Sequence, residues 1–511
     1  MSLAMVQSRA LVGLQAHAVS VEVHLANGLP SFTLVGLADV EVKEARERVR
    51  SALSNSGLEF PHNKRITVNL APADLPKDSG RFDLAIAIGV LAASGQIDGT
   101  RLGHYEFAGE LSLSGALRPV RGALAASMDL HQRGLPVRQV LPPGSAEEAA
   151  LVPGAEIYRA EHLLDVVRHF ALQPDAEAPA ADGWRRLTPS IDLPAGEHAD
   201  LADVKGQTAA RRALEIAAAG GHNLLMLGAP GAGKSMLAQR FAGILPAMTV
   251  TEALENAALH SLAGRFDPAR WGQRSTQAPH HTASAVALVG GGSPPQPGAI
   301  SLAHRGILFL DELPEFPRAA LEALREPLET GHITIARAAR QAQFPARFML
   351  IAAMNPCPCG FRGSRQRTCR CTPDQVARYQ SRISGPLLDR IDLHLEVAPL
   401  PPDELLHAPA GEPSAAVRAR VVAARARAVQ RQGVENQQLQ GQLLDAHHQA
   451  EPAALALLQT AAHKLGWSAR GIHRALRVAR TIADLADAGH ITTAHAAEAV
   501  QYRRALLGGA D

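Results

Sequence analysis

The chain has 511 residues, enough for about three domains of ordinary size, which excludes a single-domain protein. Hydrophobic residues make up 46% and charged residues 20%, so a largely disordered chain is excluded. The net charge of +2 is too small for whole-protein attraction to nucleic acid, and any such contact must be a local patch. The longest apolar stretch, 84–93, is about half of the roughly 20 residues that a membrane span needs. No basic cluster precedes an apolar segment at the N-terminus, so we expect a cytoplasmic protein.

Composition and periodicity divide the chain into four segments. Residues 1–172 mix strand-like runs with alanine-rich helical stretches, and residues 173–198 lack periodicity and are rich in Pro, Ala, Gly and acids, as in a linker. Residues 199–397 alternate apolar strands with helical patterns, which is typical of an α/β domain with a parallel sheet. Residues 398–511 begin with a Pro-rich joint and then show almost only helical patterns. We therefore predict an α/β core between an α+β domain and a helical domain.

A phosphate-binding motif follows the short apolar strand at 222–227. The motif matches G-x-x-x-x-G-K-[ST] and leads into a helical segment; its residues are Gly228, Ala229, Pro230, Gly231, Ala232, Gly233, Lys234 and Ser235. The glycines let backbone N–H groups converge on phosphates, and the helix N-terminus adds positive potential. We predict that Lys234 binds the β- and γ-phosphates of ATP and that the Ser235 hydroxyl is a ligand of Mg²⁺. A chance glycine-rich turn before a helix is the alternative.

Two further apolar strands end in polar residues that suit ATP hydrolysis. The run GILFL at 306–310 leads into Asp311 and Glu312, which predicts that Asp311 holds the Mg²⁺ water shell and Glu312 polarises the attacking water. The run FMLIAAM at 348–354 is followed by Asn355, whose amide could orient that water. The alternatives are an acidic cap for the helix that follows residue 317 and, for Asn355, a simple turn.

The four cysteines are clustered within fifteen residues, which favours a metal site over scattered disulfides. They are Cys357, Cys359, Cys369 and Cys371, with the spacing C-x-C-x₉-C-x-C. Four thiolates close a tetrahedral Zn²⁺ site and leave no open position for catalysis, so we predict a structural zinc that braces the loop between two catalytic elements. Free buried thiols and a redox pair stay open as alternatives, because C-x₂-C is the more usual zinc spacing.

The motifs GAPGAGKS, ILFLDE, AAMNPCPCG and SGPLLDRIDLHLEV together resemble the YifB/ComM family of magnesium-chelatase-like AAA+ ATPases. The resemblance extends over essentially the whole chain. It implies a ring, normally a homohexamer, with ATP bound between subunits. It also implies that Asn355 is sensor 1, that Arg390 is the arginine finger given to the neighbouring subunit's γ-phosphate, and that Arg470 is sensor 2 on a C-terminal helical lid. The alternative for Arg390 is an ion pair with Asp389 or Asp392.

Three further segments carry arginines in a regular pattern. Residues 332–348 alternate as a hairpin does and resemble the family's pre-sensor hairpin, with Arg337 and Arg340 near its tip and placed to meet phosphates. A plain solvated hairpin is the alternative. The helical period of 414–432 predicts a basic stripe or a solvated face. In 468–487, one helical side carries the arginines that would present Arg470 to the nucleotide when the lid closes.

In the N-terminal segment, 1–172, the runs at 73–93 and 109–126 and the run VLPPGSAEEA from Val140 resemble the protease domain of Lon. That domain cuts peptides with a Ser–Lys dyad. This sequence departs from the Lon pattern at both catalytic positions: Arg81 stands where the nucleophilic Ser belongs, and Leu124 and Ala126 stand where the Lys belongs. Ser79 and Lys77 lie nearby but in the wrong register. Without an activated nucleophile, peptide cleavage is not expected, and the domain should serve packing or binding.

The resemblance implies a DNA helicase or branch-migration translocase in the recombination of transforming DNA. The expected cofactors are ATP, Mg²⁺ and structural Zn²⁺, and the expected partners are further copies of the chain and single-stranded or branched DNA, with no membrane contact. A protein-remodelling ATPase, either chelatase-like or protease-associated, is the alternative. The missing Ser–Lys dyad weighs against the protease-associated form.

Overall fold

The computed structural model describes residues 2–36, 40–75, 77, 80–172, 183–188, 198–292, 295–337, 340–364, 367–401 and 407–503. Within these residues the chain forms a mixed N-terminal region, a central region built on a parallel sheet, and an all-helical C-terminal region. No helix in the described part of the chain is both long and apolar enough to cross a membrane.

The N-terminal region is built on an eight-stranded mixed sheet with the order β10-β9-β8-β5-β1-β2-β4-β3. The strands of this region are β1 (Leu3–Val12), β2 (Gln15–Asn27), β3 (Ser31–Val35), β4 (Lys64–Ala71), β5 (Tyr105–Phe107), β6 (Glu110–Leu111), β7 (Leu117–Arg118), β8 (Arg138–Leu141), β9 (Glu156–Arg159) and β10 (Arg185–Leu187). Strands β6 and β7 pair only with each other and lie outside the eight-stranded sheet. Its helices are α1 (Val40–Asn55), α2 (Asp83–Ala93), α3 (Ala123–Gln132), α4 (Ser145–Ala149) and α5 (Leu163–His169). Every residue of α2 is buried, as its unbroken apolar run predicts.

The segment predicted as a linker, 173–198, contributes a strand to this sheet. Strand β10 pairs antiparallel with β9, so that Arg186 lies opposite Tyr158. The preceding Trp184 stacks on His169 with 4.1 Å between the ring centroids. Part of the segment is therefore an edge strand, which the sequence analysis missed because only three residues pair. Residues 173–182 and 189–197 lie outside the described residues.

The central region contains a five-stranded sheet, β12-β15-β18-β11-β19, in which all pairs are parallel. Its strands and hairpins are β11 (Leu224–Leu227), β12 (Thr276–Gln277), β13 (Gly290–Gly291), β14 (Gln296–Pro297), β15 (Ile307–Leu310), β16 (His332–Arg337), β17 (Arg340–Pro345), β18 (Met349–Met354) and β19 (Leu393–Glu396). Its helices are α6 (Thr208–Gly220), α7 (Lys234–Phe241), α8 (Val250–Leu262), α9 (Ala285–Val289), α10 (Ala299–Leu302), α11 (Arg318–Glu322), α12 (Arg325–Thr330), α13 (Pro373–Gln380) and α14 (Gly385–Leu388). Strands β11 and β15 are buried throughout, as expected for parallel strands covered on both faces.

The C-terminal region consists of helices that pack on α6 and on one another. They are α15 (Ser414–Gln432), α16 (Gln442–His447), α17 (Pro452–Leu465), α18 (Ala469–Leu485) and α19 (Thr493–Gln501). The buried carboxylate of Asp392, just before β19, ties this region to the sheet: it accepts hydrogen bonds from Arg474 Nη1 (2.8 Å) and from the Asn223 N–H (3.0 Å). Arg474 is thus a buried structural residue rather than part of an exposed basic side.

The N-terminal and central regions meet along α3 and α8. Leu124, Met128, Leu254 and Trp271 belong to one buried apolar cluster at this contact. Leu124 therefore stands in a packed interface, where a charged lysine would lose its hydration without a partner.

Arg81 also has a structural role. Its guanidinium is buried and donates hydrogen bonds to the carbonyl oxygens of Arg9 (3.3 Å) and Arg121 (2.8 Å). It thereby joins β1 to the segment before α3, at the position where a protease would carry its nucleophile. Lys77 is buried too and donates to the carbonyl of Pro72, while Ser79 lies outside the described residues. The described residues thus place no Ser–Lys dyad here.

Candidate nucleotide-binding and hydrolysis site

The phosphate-binding motif forms the expected turn between a strand and a helix. Strand β11 ends at Leu227, and α7 begins at Lys234. Gly233, which precedes the helix, has φ of 92°, a conformation that glycine adopts without a steric penalty. The turn leaves the first N–H groups of α7 unpaired by the helix and directed at the loop, which is where a phosphate would bind.

Lys234 is buried within its own loop. Its side chain donates to the carbonyls of Gly228 (2.7 Å) and Ala229 (3.0 Å) and to Asn355 Oδ1 (3.1 Å), and the residue is 8% exposed. Burial lowers the pKa of Lys234, and the carboxylates of Asp311 and Glu312 partly oppose that shift. An ammonium held by neutral oxygens in a low-dielectric site gains strongly from anionic phosphate oxygens. The side chain is thus poised to bind ATP.

Ser235 and Asp311 meet across the sheet. The Ser235 hydroxyl donates to Asp311 Oδ2 over 2.6 Å. Ser235 follows β11 and Asp311 follows β15, and only β18 lies between these two strands in the sheet. The other Asp311 oxygen accepts the N–H of Glu312 over 2.9 Å. A hydroxyl and a carboxylate oxygen side by side are the hard ligands that Mg²⁺ binds beside nucleotide phosphates, so this pair fits the metal.

Glu312 has a left-handed backbone, with φ of 53° and ψ of 47°. Such a conformation is unfavourable for a residue with a Cβ, and it concentrates at functional sites. Its side chain is half exposed, and its Oε2 lies 3.1 Å from His281 Nδ1. The sequence analysis missed His281; the adjacent pair His280–His281, in the segment between α8 and β15, was the signal available for it. A carboxylate held by one partner and open to solvent can polarise a water molecule.

Arg390 and Arg470 do not contact this site. Arg390 pairs with Glu329 and donates to the carbonyl of Pro386 over 2.7 Å, and Arg470 lies 3.7 Å from the other oxygen of Glu329. Arg390 is thus paired with neither Asp389 nor Asp392. Helix α18 thus places Arg470 beside Glu329, and the assignment of Arg470 as sensor 2 stays a prediction.

Arg390 and Arg470 lie at the opposite edge of the sheet from the phosphate-binding loop. Asn223, which immediately precedes β11, donates to the carbonyl of Arg390 over 3.2 Å, whereas the loop follows the far end of β11. A four-residue strand spans about 13 Å. Within the described residues, no arginine hydrogen-bonds or pairs with Lys234, Ser235, Asp311, Glu312 or Asn355.

The predicted hairpin strands form, with β16 and β17 antiparallel and Arg337 directly opposite Arg340. The side chains of both arginines lie outside the described atoms. By contrast, the predicted basic stripe of 414–432 is neutralised: Arg420 binds Glu215 and Glu412, and Arg431 binds Asp484. Arg420 and Arg431 of that stripe are therefore paired with carboxylates of the same chain.

The four cysteines converge as a metal site requires. Their Sγ atoms all lie within 4.8 Å of one another, and the Sγ of Cys357 is 3.4 Å from that of Cys359 and 3.7 Å from that of Cys369. A tetrahedral site with Zn–S bonds of about 2.3 Å requires sulfur–sulfur distances of about 3.8 Å. None of the four forms a disulfide. The cluster is therefore compatible with a structural zinc.

Comparison with known proteins agrees with this geometry. Residues 200–405 match the family model "Magnesium chelatase, subunit ChlI", and residues 21–144 match "Subunit ChlI of Mg-chelatase". Residues 411–503 match "Magnesium chelatase, subunit ChlI C-terminal". The resemblance of residues 1–172 to Lon stays a prediction.

Full-length relatives are also found. The chain is 49% identical to "Competence protein ComM" of Haemophilus influenzae over 506 residues, 98% of each chain. It is 48% identical to "Uncharacterized protein YifB" of Salmonella typhimurium over 507 residues, 98% of this chain and 97% of the relative. A shorter match, 27% identical over 134 residues, covers 26% of this chain and 14% of "DNA replication licensing factor MCM3" of Gallus gallus. The motifs, the parallel sheet and these relatives together show that the chain belongs to the YifB/ComM family of magnesium-chelatase-like AAA+ ATPases.

Proposed function

We propose that the protein is a ring-shaped motor, a homohexamer, that uses ATP hydrolysis to move along single-stranded or branched DNA during the recombination of transforming DNA. The observation that carries the proposal is the separation of Arg390 and Arg470 from their own phosphate-binding loop. Among the described residues, the site has the groups that ATP hydrolysis needs except an arginine. We infer that a second subunit supplies this arginine.

Within one subunit the chain supplies most of the hydrolytic chemistry. Lys234 binds the terminal phosphates, and Ser235 and Asp311 hold the Mg²⁺ that neutralises phosphate charge when bound. Glu312 accepts a proton from the attacking water, with His281 holding the carboxylate in place, and the Asn355 amide contacts Lys234 and orients the water. Among the described residues, no arginine contacts the site to balance the charge that develops on the γ-phosphate.

Arg390 suits that task from a neighbouring subunit. Its Nε is buried and has no acceptor among the described residues, so the guanidinium has an unused donor. Arg470 shares the same carboxylate and is 64% exposed, so both cations lie close enough to approach one phosphate. An arginine finger contributes about 10³- to 10⁵-fold to the rate of phosphoryl transfer. This arrangement supports the proposal of a ring in which each site is shared.

Two observations support DNA as the moved polymer. The hairpin β16–β17 places two arginines opposite each other, which suits backbone phosphates without base specificity. Leu11, near the end of β1, and Leu14, in the turn to β2, pack against an apolar cluster that includes Ile333 and Phe344 of the hairpin, so the N-terminal region contacts the base of the hairpin. The names of two relatives refer to competence and to DNA replication.

The test is ATP-dependent displacement of a labelled strand from forked and four-way DNA. Wild-type protein should displace the strand, less so as salt rises, and Lys234→Ala and Glu312→Gln should not. The double variant Arg337→Ala/Arg340→Ala should hydrolyse ATP but lose displacement. Its matched control, Arg46→Ala/Arg50→Ala on α1, removes two arginines from the N-terminal region and should behave as wild type. ATP turnover that no DNA stimulates, with no displacement, would instead indicate a protein-remodelling ATPase.

We also propose that the cysteine cluster holds one structural Zn²⁺. Four thiolate ligands fill its tetrahedral coordination and leave no position for substrate. Metal analysis of purified protein should give one zinc per chain, and a folded protein without zinc would contradict the assignment.

A further inference from the structure

The loop that carries the cysteines touches the nucleotide site. Gly360, which follows Cys359, packs against the phosphate-binding loop so closely that a Cβ on it would lie 2.5 Å from Pro230 Cδ and 2.7 Å from Pro230 Cγ. The same Cβ would lie 3.7 Å from the side chain of Asn355. One glycine thus contacts both the loop that binds phosphate and the residue that orients the attacking water.

The cysteine cluster fixes the position of that glycine. Cys357 is fully buried, and its carbonyl accepts the N–H of Gly360 over 2.9 Å, which closes a tight turn. Cys359 lies within the turn, and its Sγ is 3.6 Å from that of Cys369, on the far side of the loop. Four thiol groups this close need a cation to stay together once they ionise, because like charges repel. With a metal bound, the turn that includes Gly360 cannot move away from Pro230.

We propose that the metal on the four cysteines positions the phosphate-binding loop, with Gly360 as the positioning residue, so that loss of the metal weakens nucleotide binding. The inference rests on the proposed function only in that residues 228–235 are taken as the ATP site; it does not require a ring or DNA. The cluster then has a role in the binding step as well as in holding its own loop together.

The first experiment measures nucleotide affinity with and without zinc. A fluorescent ATP analogue is titrated into purified protein, into protein stripped by a chelator, and into stripped protein to which zinc is returned. Metal content and the circular dichroism spectrum are recorded for each sample. Stripping should weaken binding by about tenfold or more while helical content is retained, and zinc should restore the affinity. Unchanged affinity in protein shown to hold no metal would overturn the proposal.

The second experiment isolates the contact by comparing Gly360→Ala with Gly363→Ala. The two glycines belong to the same loop and have similar positive φ, 81° and 75°, so alanine causes similar backbone strain at both. Only the Cβ at 360 meets Pro230; at 363 nothing lies within 4 Å. Gly360→Ala should keep its zinc and lose about tenfold in affinity for the analogue, while Gly363→Ala should stay within about twofold of wild type.

Equal effects of the two substitutions would overturn the role given to Gly360. Lys234→Ala serves as an independent reference for the site itself. If Lys234→Ala fails to weaken binding, the assignment of the ATP site is at fault. If Lys234→Ala weakens binding and Gly360→Ala does not, the ATP site stands and the positioning inference fails.

Discussion

Asp392 is the residue whose removal should most clearly weaken the contact between the parallel sheet and the C-terminal helices. It is fully buried, and its oxygens accept hydrogen bonds from Arg474 and from the Asn223 N–H, with Arg477 4.0 Å away. Burial alone would raise the pKa of Asp392, but Arg474, His222 and Arg477 outweigh it and hold the pKa far below its usual range. The carboxylate is therefore ionised at all ordinary pH values.

The substitution Asp392→Asn keeps the shape of the side chain and removes its charge. Arg474 and Arg477 are 12% and 7% exposed, so both cations would be left buried without their counter-ion. Removing one partner of a buried ion pair costs about 3–5 kcal/mol. In a domain of this size each kcal/mol lowers Tm by about 2 °C, which predicts a fall of about 6–10 °C.

The assay is thermal unfolding followed by circular dichroism, with Asp389→Asn as the matched control. Asp389 lies three residues earlier, and no ion pair of its side chain is found among the described residues. The control should unfold within about 2 °C of wild type. If Asp392→Asn unfolds together with the control, the ion-pair network does not hold the two regions together, and this reasoning is refuted.

Three further predictions concern other parts of the molecule. Leu124→Ala opens a cavity where α3 meets α8, so it should lower the free energy of unfolding, measured by urea denaturation, by about 2–5 kcal/mol. A loss below about 0.5 kcal/mol would show that the interface is not packed. Burial raises the pKa of Asp83 from 3.8 to about 6 against the opposing Arg48. The folded chain then keeps a proton that the unfolded chain releases, so wild type should lose stability relative to Asp83→Asn as pH rises from about 4 to 6, and a pH-independent difference would contradict this. Glu329→Gln removes the carboxylate that Arg390 must leave to reach a neighbouring subunit, so ATP turnover at low protein concentration should rise by about two- to fivefold. Glu326→Gln on the same helix is the control. A fall in turnover would mean that Glu329 positions Arg390 instead.

The parts of the site that the sequence predicted are those encoded locally. A glycine-rich turn between a buried strand and a helix is specified by adjacent residues, so Lys234 and Ser235 follow directly from the motif. Asp311 and Asn355 each end an apolar strand, and parallel strands bring their carboxyl ends to one edge of the sheet. Short-range pattern and sheet geometry together were enough to bring these side chains together.

The parts that the sequence missed depend on contacts between distant segments. The helical wheel of α18 places Arg470 and Arg474 on one side, but it does not say which surface that side meets. Asp392 buries Arg474, and Arg470 is drawn to Glu329. Likewise, Arg420 finds Glu215 on α6, 205 residues earlier, which no local period reveals. The partners of these arginines thus depend on how whole helices pack against one another, and not on where helices form.

The N-terminal region shows the same limit. Departures from the Lon pattern at Arg81 and Leu124 were visible in the sequence, and they argued against a dyad. Their positive roles were not visible, since Arg81 binds two backbone carbonyls from other segments and Leu124 packs on the central region. A missing catalytic residue is readable from a motif, whereas the structural task that replaces it requires the fold.

The sharing of each ATP site between two subunits is tested most directly by mixing two inactive variants. Lys234→Ala lacks the phosphate-binding lysine but keeps Arg390, and Arg390→Ala has the opposite defect. When equal amounts assemble together, about one interface in four combines both intact groups, so ATP turnover should return to about a quarter of the wild-type rate. A mixture no more active than its separate components would show that Arg390 acts within its own subunit or not at all, and the account of a shared site would be wrong.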